Sequence, residues 1–184
     1  MSPLHPLLLL GGLALALGPL IQPPAAIAQL QRGPAIRRSA WLVALPPTAT
    51  VRLKQGGSFT GRLVGFSASK LVLSAASQSQ AVALTQVSTV EFAQPQDLWV
   101  TLPNGGRQQV RPIRGLSLPI PGVPRSAVKV NGATDTASVD LTTVLSEEQF
   151  AKLTRNPSVM FVLKQIEVSA DDQLLLRARP YGVE

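Results

Sequence analysis

Between residues 49 and 93, apolar side chains alternate with polar ones in short runs separated by Gly and Ser turns. This alternation has the period of a β-strand, and the runs are too short for helices. They lie at 51–53, 59–66, 71–73, 82–84 and 90–92. Five short strands within about forty residues predict a small closed β-barrel. In the longest run, Gly61 and Gly65 share a face with Phe59 and Leu63, which predicts one strongly bent strand that serves both sides of the barrel.

Three segments of this region carry a family resemblance. They read VRLKQGG at 51–57, TGRLVGF at 60–66 and VALTQVSTVEF at 82–92. Over about forty-two residues the chain thus resembles the Sm-like and bacterial Src-homology-3-like family of small β-barrels. The resemblance implies a fold and no particular activity. Sm-like RNA-binding proteins carry a further Gly-containing segment near their last strands, and none follows Phe92, so RNA binding is not implied.

The next part of the chain repeats the pattern at two constant offsets. At an offset of 49, residues 100–106 match 51–57, and Arg111 matches Arg62. At an offset of 57, residues 128–130 match 71–73, and residues 139–144 match 82–87. The offsets differ by eight, which predicts an eight-residue insertion in the Pro-rich segment 118–125. We interpret the repeat as a tandem of two barrels. The alternative is a chance likeness between short β segments.

Local signals near the end of the chain predict a helix and a hairpin. Residues 146–149, Ser-Glu-Glu-Gln, form a capping box, and Asn156-Pro157 ends the helix that we predict over 147–155. Two apolar runs, 159–168 and 174–179, are joined by a polar turn and predict a hairpin. The expected fold is therefore mainly β, with one or two tandem small five-stranded barrels, a short helix and a C-terminal hairpin.

The first 28 residues predict a cleavable signal peptide. An apolar core at 7–17 is followed by the small-x-small triplet Ala26-Ile27-Ala28, after which we predict cleavage. The leader begins without Lys or Arg, so an alternative is that 6–27 remains in the membrane as an uncleaved anchor. We expect the protein to be exported, either periplasmic or secreted, or alternatively membrane-anchored by this segment.

These signals divide the chain into four predicted parts. The parts are a signal peptide at 1–28, a flexible lead-in at 29–48 in which 41–45 form a first strand or a clip, a first small barrel at 49–93, and a second β module at 98–184 with the Pro-rich insertion, the helix and the hairpin.

Composition removes several classes of chemistry. The chain has no Cys, and its only His is His5 in the leader. Disulfides, Cys nucleophiles, imidazole bases and His or Cys metal sites are thereby excluded from the mature protein. We predict no catalytic residue, no metal site and no cofactor. The alternative is a carboxylate-dependent envelope hydrolase using Asp135, Asp140 and the acid pairs at 147–148 and 171–172, although Asp135-Thr136-Ala137-Ser138 lacks the Gly of the aspartic-protease turn that it resembles.

Charge is distributed unevenly along the chain. Residues 29–130 hold twelve Lys and Arg against two acids, whereas residues 131–184 hold five against eight. The cations of the repeat are predicted to lie on turns and exposed strand faces, where they are the candidate binding residues: Arg52, Lys54, Arg62, Arg107, Arg111 and Arg114. The predicted partner is a protein, an anionic envelope polymer or a lipid surface. Aromatic residues make up only 4% of the chain, which disfavours nucleic acid.

Overall fold

Thirteen strands and one short α-helix form the described part of the chain, which comprises residues 40–76, 78–101, 105–156 and 158–183 of a computed structural model. The strands are β1 (Ala40–Ala44), β2 (Ala49–Leu53), β3 (Ser58–Phe66), β4 (Lys70–Ala75), β5 (Gln78–Ala83), β6 (Val87–Phe92), β7 (Leu98–Thr101), β8 (Arg107–Pro112), β9 (Leu118–Pro124), β10 (Val128–Asn131), β11 (Thr136–Asp140), β12 (Met160–Val168) and β13 (Gln173–Gly182). The helix α1 spans Glu147–Thr154, and 3-10 turns lie at Leu84–Gln86 and Arg125–Ala127. The predicted signal peptide and the lead-in up to residue 39 lie outside the described residues.

The local predictions for strands, helix and hairpin are confirmed. Each of the five apolar runs lies in its own strand, from β2 to β6, although the last residue of the fourth run begins a 3-10 turn. At the start of α1, Ser146 Oγ accepts a hydrogen bond from Gln149 N at 3.3 Å, and Gln149 Oε1 accepts one from Ser146 N at 2.9 Å. The predicted C-terminal hairpin consists of β12 and β13, which pair from Met160↔Tyr181 to Val168↔Leu174. The mainly β fold with one short helix is thus established.

Strand β3 changes its pairing from β2 to β4 at Gly61. It pairs with β2 as far as Gly61, opposite Ala49, and with β4 from Arg62 onward, opposite Ser74. A Cβ atom on Gly61 would lie 2.8 Å from the carbonyl oxygen of Ser74. Only glycine therefore permits the close approach at which the strand changes neighbours.

The strands join into one strongly curled sheet that forms a half-barrel. Its main path runs β10-β11-β1-β12-β6-β2-β3-β4-β5, while β13 pairs with β12, β8 and β9, and β7 pairs with β8. Strand β6 pairs with β2 on one edge and with β12 on the other, so neither edge of β6 remains for closure onto β5. The sheet is continuous across the predicted boundary at 93–98, and two separate closed barrels are not confirmed.

Both predicted offsets recur in the strand pairing of the hairpins, which match in two pairs. Ala49 pairs with Gly61 in β2–β3, and the residues 49 positions later, Leu98 and Val110, pair in β7–β8. Leu71 pairs with Val82 in β4–β5, and the residues 57 positions later, Val128 and Val139, pair in β10–β11. The extra residues between these hairpins of the second half form β9, inside the predicted insertion. The hairpins repeat, but their assembly differs, because β8 joins β13 and β11 joins β1.

Candidate functional site

Arg52 and Lys54 lie at the end of β2 and in the turn that follows it. The Arg52 guanidinium donates to both carboxylate oxygens of Glu91 on the neighbouring strand β6, at 3.2 and 3.1 Å. This hydrogen-bonded contact raises the pKa of Arg52 above its ordinary value. Lys54 is exposed, and no ion pair of its side chain occurs within the described residues. The first predicted cation is therefore part of a cross-strand pair, while the second remains available to a ligand.

Arg62 connects two distant parts of the curled sheet. From β3 its guanidinium contacts Asp135 Oδ1 at 2.7 Å and donates to the carbonyl oxygen of Gly132 at 2.7 Å, both in the turn between β10 and β11. Gly132 lies so close to β3 that a Cβ atom there would be 3.0 Å from Val64 Cα. These contacts give Arg62 a structural role at the place where the end of the sheet meets β3.

Three of the carboxylates considered for a hydrolase take part in structural contacts. Asp135 has a positive φ of 49°, in a tight turn, and holds Arg62. Asp140 Oδ1 accepts hydrogen bonds from Thr142 Oγ1 at 2.7 Å and Thr142 N at 3.0 Å, and these bonds lower the pKa of Asp140. Glu148 pairs with Lys152 along α1 at 2.8 Å. Across residues 40–183, apart from the gaps given above, no three Asp, Glu, His or Cys side chains cluster as metal ligands would.

The outward side of the β7–β8 hairpin brings together two predicted cations and an aromatic ring that sequence reasoning had not selected. Trp99 is 58% exposed, and the Arg107 guanidinium carbon lies 5.6 Å from the centroid of a Trp99 ring, within cation–π range. Arg111 pairs with Asp97 at 3.4 Å, and Gln109 lies directly opposite Trp99 in the register. We call these five residues the Trp99 face.

The opposite side of the same hairpin is fixed to the core. Val110 is buried with Val162 and Tyr181, and Leu98 and Val100 pack against this cluster. The Tyr181 hydroxyl donates to the carbonyl oxygen of Pro95 at 2.7 Å, and burial raises the pKa of Tyr181. The Trp99 face thus lies on a hairpin whose other side is packed against buried residues. The alternation of Leu98, Trp99 and Val100 was the signal that would have placed the indole outward.

Arg114 is not part of the Trp99 face. It lies in the turn that follows β8 and is exposed. The six predicted cations therefore do not form one surface. Arg52, Arg62 and Arg111 contact carboxylates, and only Arg107 and Arg111 share a face.

Strand β5 presents an open edge. Its six residues pair with β4 from Gln78↔Ala75 to Ala83↔Lys70, and no other described strand pairs with it. From residue 71 to residue 90 the sequence contains no charged residue, no Pro and no Gly. A cavity of about 420 Å³ borders one end of β5, with Phe59, Leu73 and Gln80 among its lining residues.

Apolar cavities border α1 on both sides. Leu153 contributes to three of them, with volumes of about 500, 330 and 490 Å³. The helix itself buries no residue completely and contacts the core through Phe150 and Leu153. Leu42, on β1 beside the first cavity, is 68% exposed. The helix therefore contacts the core through two partly buried side chains.

Comparison of the chain with family models, with curated proteins and with solved structures finds no match. In the described part of the chain, no helix combines the length and the hydropathy that crossing a bilayer requires.

Proposed function

We propose that this chain is an exported, non-catalytic β module that binds a protein partner by strand addition at β5. The open edge carries the proposal. Strand β5 pairs along its whole length on one side and with no described strand on the other. Natural sheets block such edges with Lys, Pro, bulges or very short strands, and β5 has six residues without a charge or a Pro. An added strand would gain affinity from main-chain hydrogen bonds along this edge.

The test uses two added charges. In the variant Ser79→Lys/Gln80→Lys, two exposed residues of β5 become edge lysines, which oppose strand pairing. We expect the immobilised mature protein to capture its partner from an envelope extract, and the variant to capture at least about tenfold less. Hydrogen exchange of the backbone amides at 78–83 should slow when the captured partner is present.

A matched control keeps this test specific. Thr85→Lys/Gln86→Lys adds the same charge in the exposed 3-10 turn that follows β5, outside the paired edge. The control should capture the partner as the wild type does. Equal loss in both variants, or amide protection confined to another strand, would contradict strand addition at β5.

Export is the second element of the proposal, and it rests on the apolar leader and its Ala26-Ile27-Ala28 triplet. We expect the mature chain to begin at Gln29. Intact-mass measurement of the protein recovered from the cell envelope and the medium tests this. A chain that begins at Met1 in the membrane fraction contradicts cleavage and favours the membrane-tethered alternative.

The Trp99 face favours a second candidate function, binding of an anionic envelope polymer. Its exposed indole offers a stacking surface, and Arg107 and Arg111 offer guanidinium groups for carboxylates or phosphates. Asp97 and Gln109 provide acceptors for hydroxyl groups, which suits an acidic polysaccharide better than a nucleic acid. A single exposed aromatic also provides no platform for successive bases.

Polygalacturonate, with dextran as the uncharged control, is the probe for this second candidate. Trp99→Ala and Arg107→Gln should each weaken binding to polygalacturonate about tenfold. Lys164→Gln removes the same charge from an exposed position on β12 and should leave binding unchanged. Equal weakening by Arg107→Gln and Lys164→Gln would show that net charge alone is responsible and would refute a site at Trp99. Tighter binding of a single-stranded oligonucleotide would refute the polysaccharide class.

A further inference from the structure

The hairpins β4–β5 and β10–β11 share one register, and the shared register extends beyond one residue pair. Leu73 pairs with Gln80, and the residues 57 positions later, Val130 and Ala137, pair in the same way. Both hairpins end in a helical turn closed by the same hydrogen bond, in which the amide of Val87 donates to Leu84 O and the amide of Val144 donates to Leu141 O. The two hairpins are therefore geometrically equivalent along the second strand.

Their outer edges differ in occupancy. The edge of β11 is occupied by β1, which runs antiparallel to it with Trp41 opposite Val139 and Val43 opposite Ala137. Both β1 side chains are buried, with 2% and 1% exposure. The equivalent edge of β5 is paired with no strand of the described residues. The described part of the chain thus contains one paired copy and one unpaired copy of the same edge.

We infer that the edge of β5 accepts an antiparallel strand of another protein in the register that β1 adopts on β11. This inference rests on the proposed function and specifies the partner segment. The offset of 57 places Val82 and Gln80 where β11 has Val139 and Ala137. Directly opposite residues of an antiparallel pair point to the same face. The partner residue opposite Val82 is therefore apolar, because Val82 is 5% exposed and belongs to the core cluster.

The second contact position and the outward positions follow in the same way. Opposite Gln80 the partner residue faces an exposed amide and the 420 Å³ cavity, which leaves room for a larger side chain than Val43 has on β11. The partner residues opposite Ala81 and Ala83 point to the other face, as Leu42 does in β1, where it is 68% exposed. The expected segment is extended, with inward apolar and outward polar residues in alternation. A uniformly polar segment would not satisfy the position opposite Val82.

The test uses a synthetic peptide with the sequence of residues 39–46, Ser-Ala-Trp-Leu-Val-Ala-Leu-Pro, as the probe. Two versions carry two lysines each and have equal charge. One has Lys in place of the residues corresponding to Trp41 and Val43, and the other in place of those corresponding to Leu42 and Ala44. We expect the outward version to bind the mature protein at least about tenfold more tightly, by fluorescence anisotropy. Equal affinity of the two versions would overturn the predicted face.

Disulfide trapping tests the strand direction. Because the chain has no Cys, an introduced Cys is the only thiol of the protein that can form the disulfide. In the predicted antiparallel register, Ala83→Cys traps a peptide whose Cys replaces the first strand residue, and Ser79→Cys traps one whose Cys replaces the fifth. The opposite pairing would overturn the antiparallel direction and leave strand addition intact. If neither variant traps a peptide while Ser79→Lys/Gln80→Lys still abolishes partner capture, the inferred register is wrong but the proposed function stands. A concentration-dependent dimer of the protein alone, abolished by the same edge lysines, would identify a second copy as the occupant and refute the inference.

Discussion

The ion pair between Arg125 and Asp172 has one buried and one exposed member. The Arg125 side chain is 8% exposed, whereas that of Asp172 is 85% exposed, and Arg125 Nη1 lies 2.7 Å from Asp172 Oδ1. Arg125 Nη2 also donates to the carbonyl oxygen of Ser169 at 3.0 Å. The arginine therefore fixes the turn between β12 and β13 to the 3-10 turn between β9 and β10. We predict that losing the exposed partner costs more stability than losing the buried one.

The magnitude follows from what each substitution leaves behind. Asp172→Asn leaves a buried guanidinium with neutral partners only, and loss of a hydrogen bond between charged groups costs about 2 kcal/mol. Asn suits the test because residue 172 has a φ of +57°, which Asn adopts as readily as Asp. Arg125→Met removes the buried charge itself, whose Nε has no hydrogen-bond partner. The loss of its contacts is largely offset, because the guanidinium no longer has to be removed from water on folding. Arg125→Met should therefore lower the free energy of unfolding by about 1 kcal/mol or less.

Thermal and urea unfolding measure the difference. For a domain of this size, 1 kcal/mol corresponds to about 2–4 °C in Tm, so Asp172→Asn should lower Tm by about 4–8 °C and Arg125→Met by about half as much. The double variant should match Arg125→Met alone, since the pair is already broken there. Asp171→Asn, at the neighbouring exposed position, is the control and should change Tm little. A larger effect of Arg125→Met than of Asp172→Asn would refute the argument, because the buried guanidinium would then contribute net stability.

Three further predictions concern the Arg62–Asp135 pair, the buried Tyr181 and the glycines of β3. Arg62→Met should lower the free energy of unfolding by about 1 kcal/mol, because both side chains of its pair with Asp135 are about two-fifths exposed. In that background, Asp135→Asn should lower it little further, and additive losses in a double-mutant cycle would contradict the pairing. Burial raises the pKa of Tyr181, so its contribution to the free energy of unfolding is complete below about pH 10 and is lost at higher pH as the unfolded chain ionises. In urea unfolding at increasing pH, the free energy of unfolding should therefore decline more steeply for wild type than for Tyr181→Phe. Equal slopes would refute this. Gly61→Ala should lower the free energy of unfolding by about 2 kcal/mol, because its Cβ would lie 2.8 Å from a backbone oxygen. Gly65→Ala, whose Cβ has its nearest contact at 3.4 Å, should lower it clearly less. Equal shifts in Tm would contradict the argument from close approach.

Elements with local causes could be predicted from the sequence. The capping box at Ser146 and the turn residues around Gly56 act within a few positions, so the helix and the hairpins were located correctly. The offsets of 49 and 57 also survive in the registers of two hairpins, because a hairpin register is set by its own turn and apolar alternation.

Contacts between distant segments could not be predicted in this way. The pairing of β12 with β6 joins segments more than seventy positions apart in the sequence, and no short pattern encodes it. Arg62 looked like an exposed cation, yet its partner Asp135 lies 73 positions away in the sequence. The low aromatic content of the whole chain gives no hint of Trp99, whereas its alternation with Leu98 and Val100 marks it as outward.

The open edge of β5 follows from the same pairing that joins the two halves of the sheet. Strand β6 has two edges, and β2 and β12 occupy both, so the barrel expected over 49–93 has no strand left to close it. At the other end of the main sheet path, the turn after β10 lies against β3, because Arg62 donates to Gly132 O and Gly132 packs closely on Val64. Strand β5, at the remaining end of that path, pairs with no second strand among the described residues and lies in an uncharged segment. This difference between the two copies of the repeated hairpin supports the proposal that a partner supplies a strand to β5.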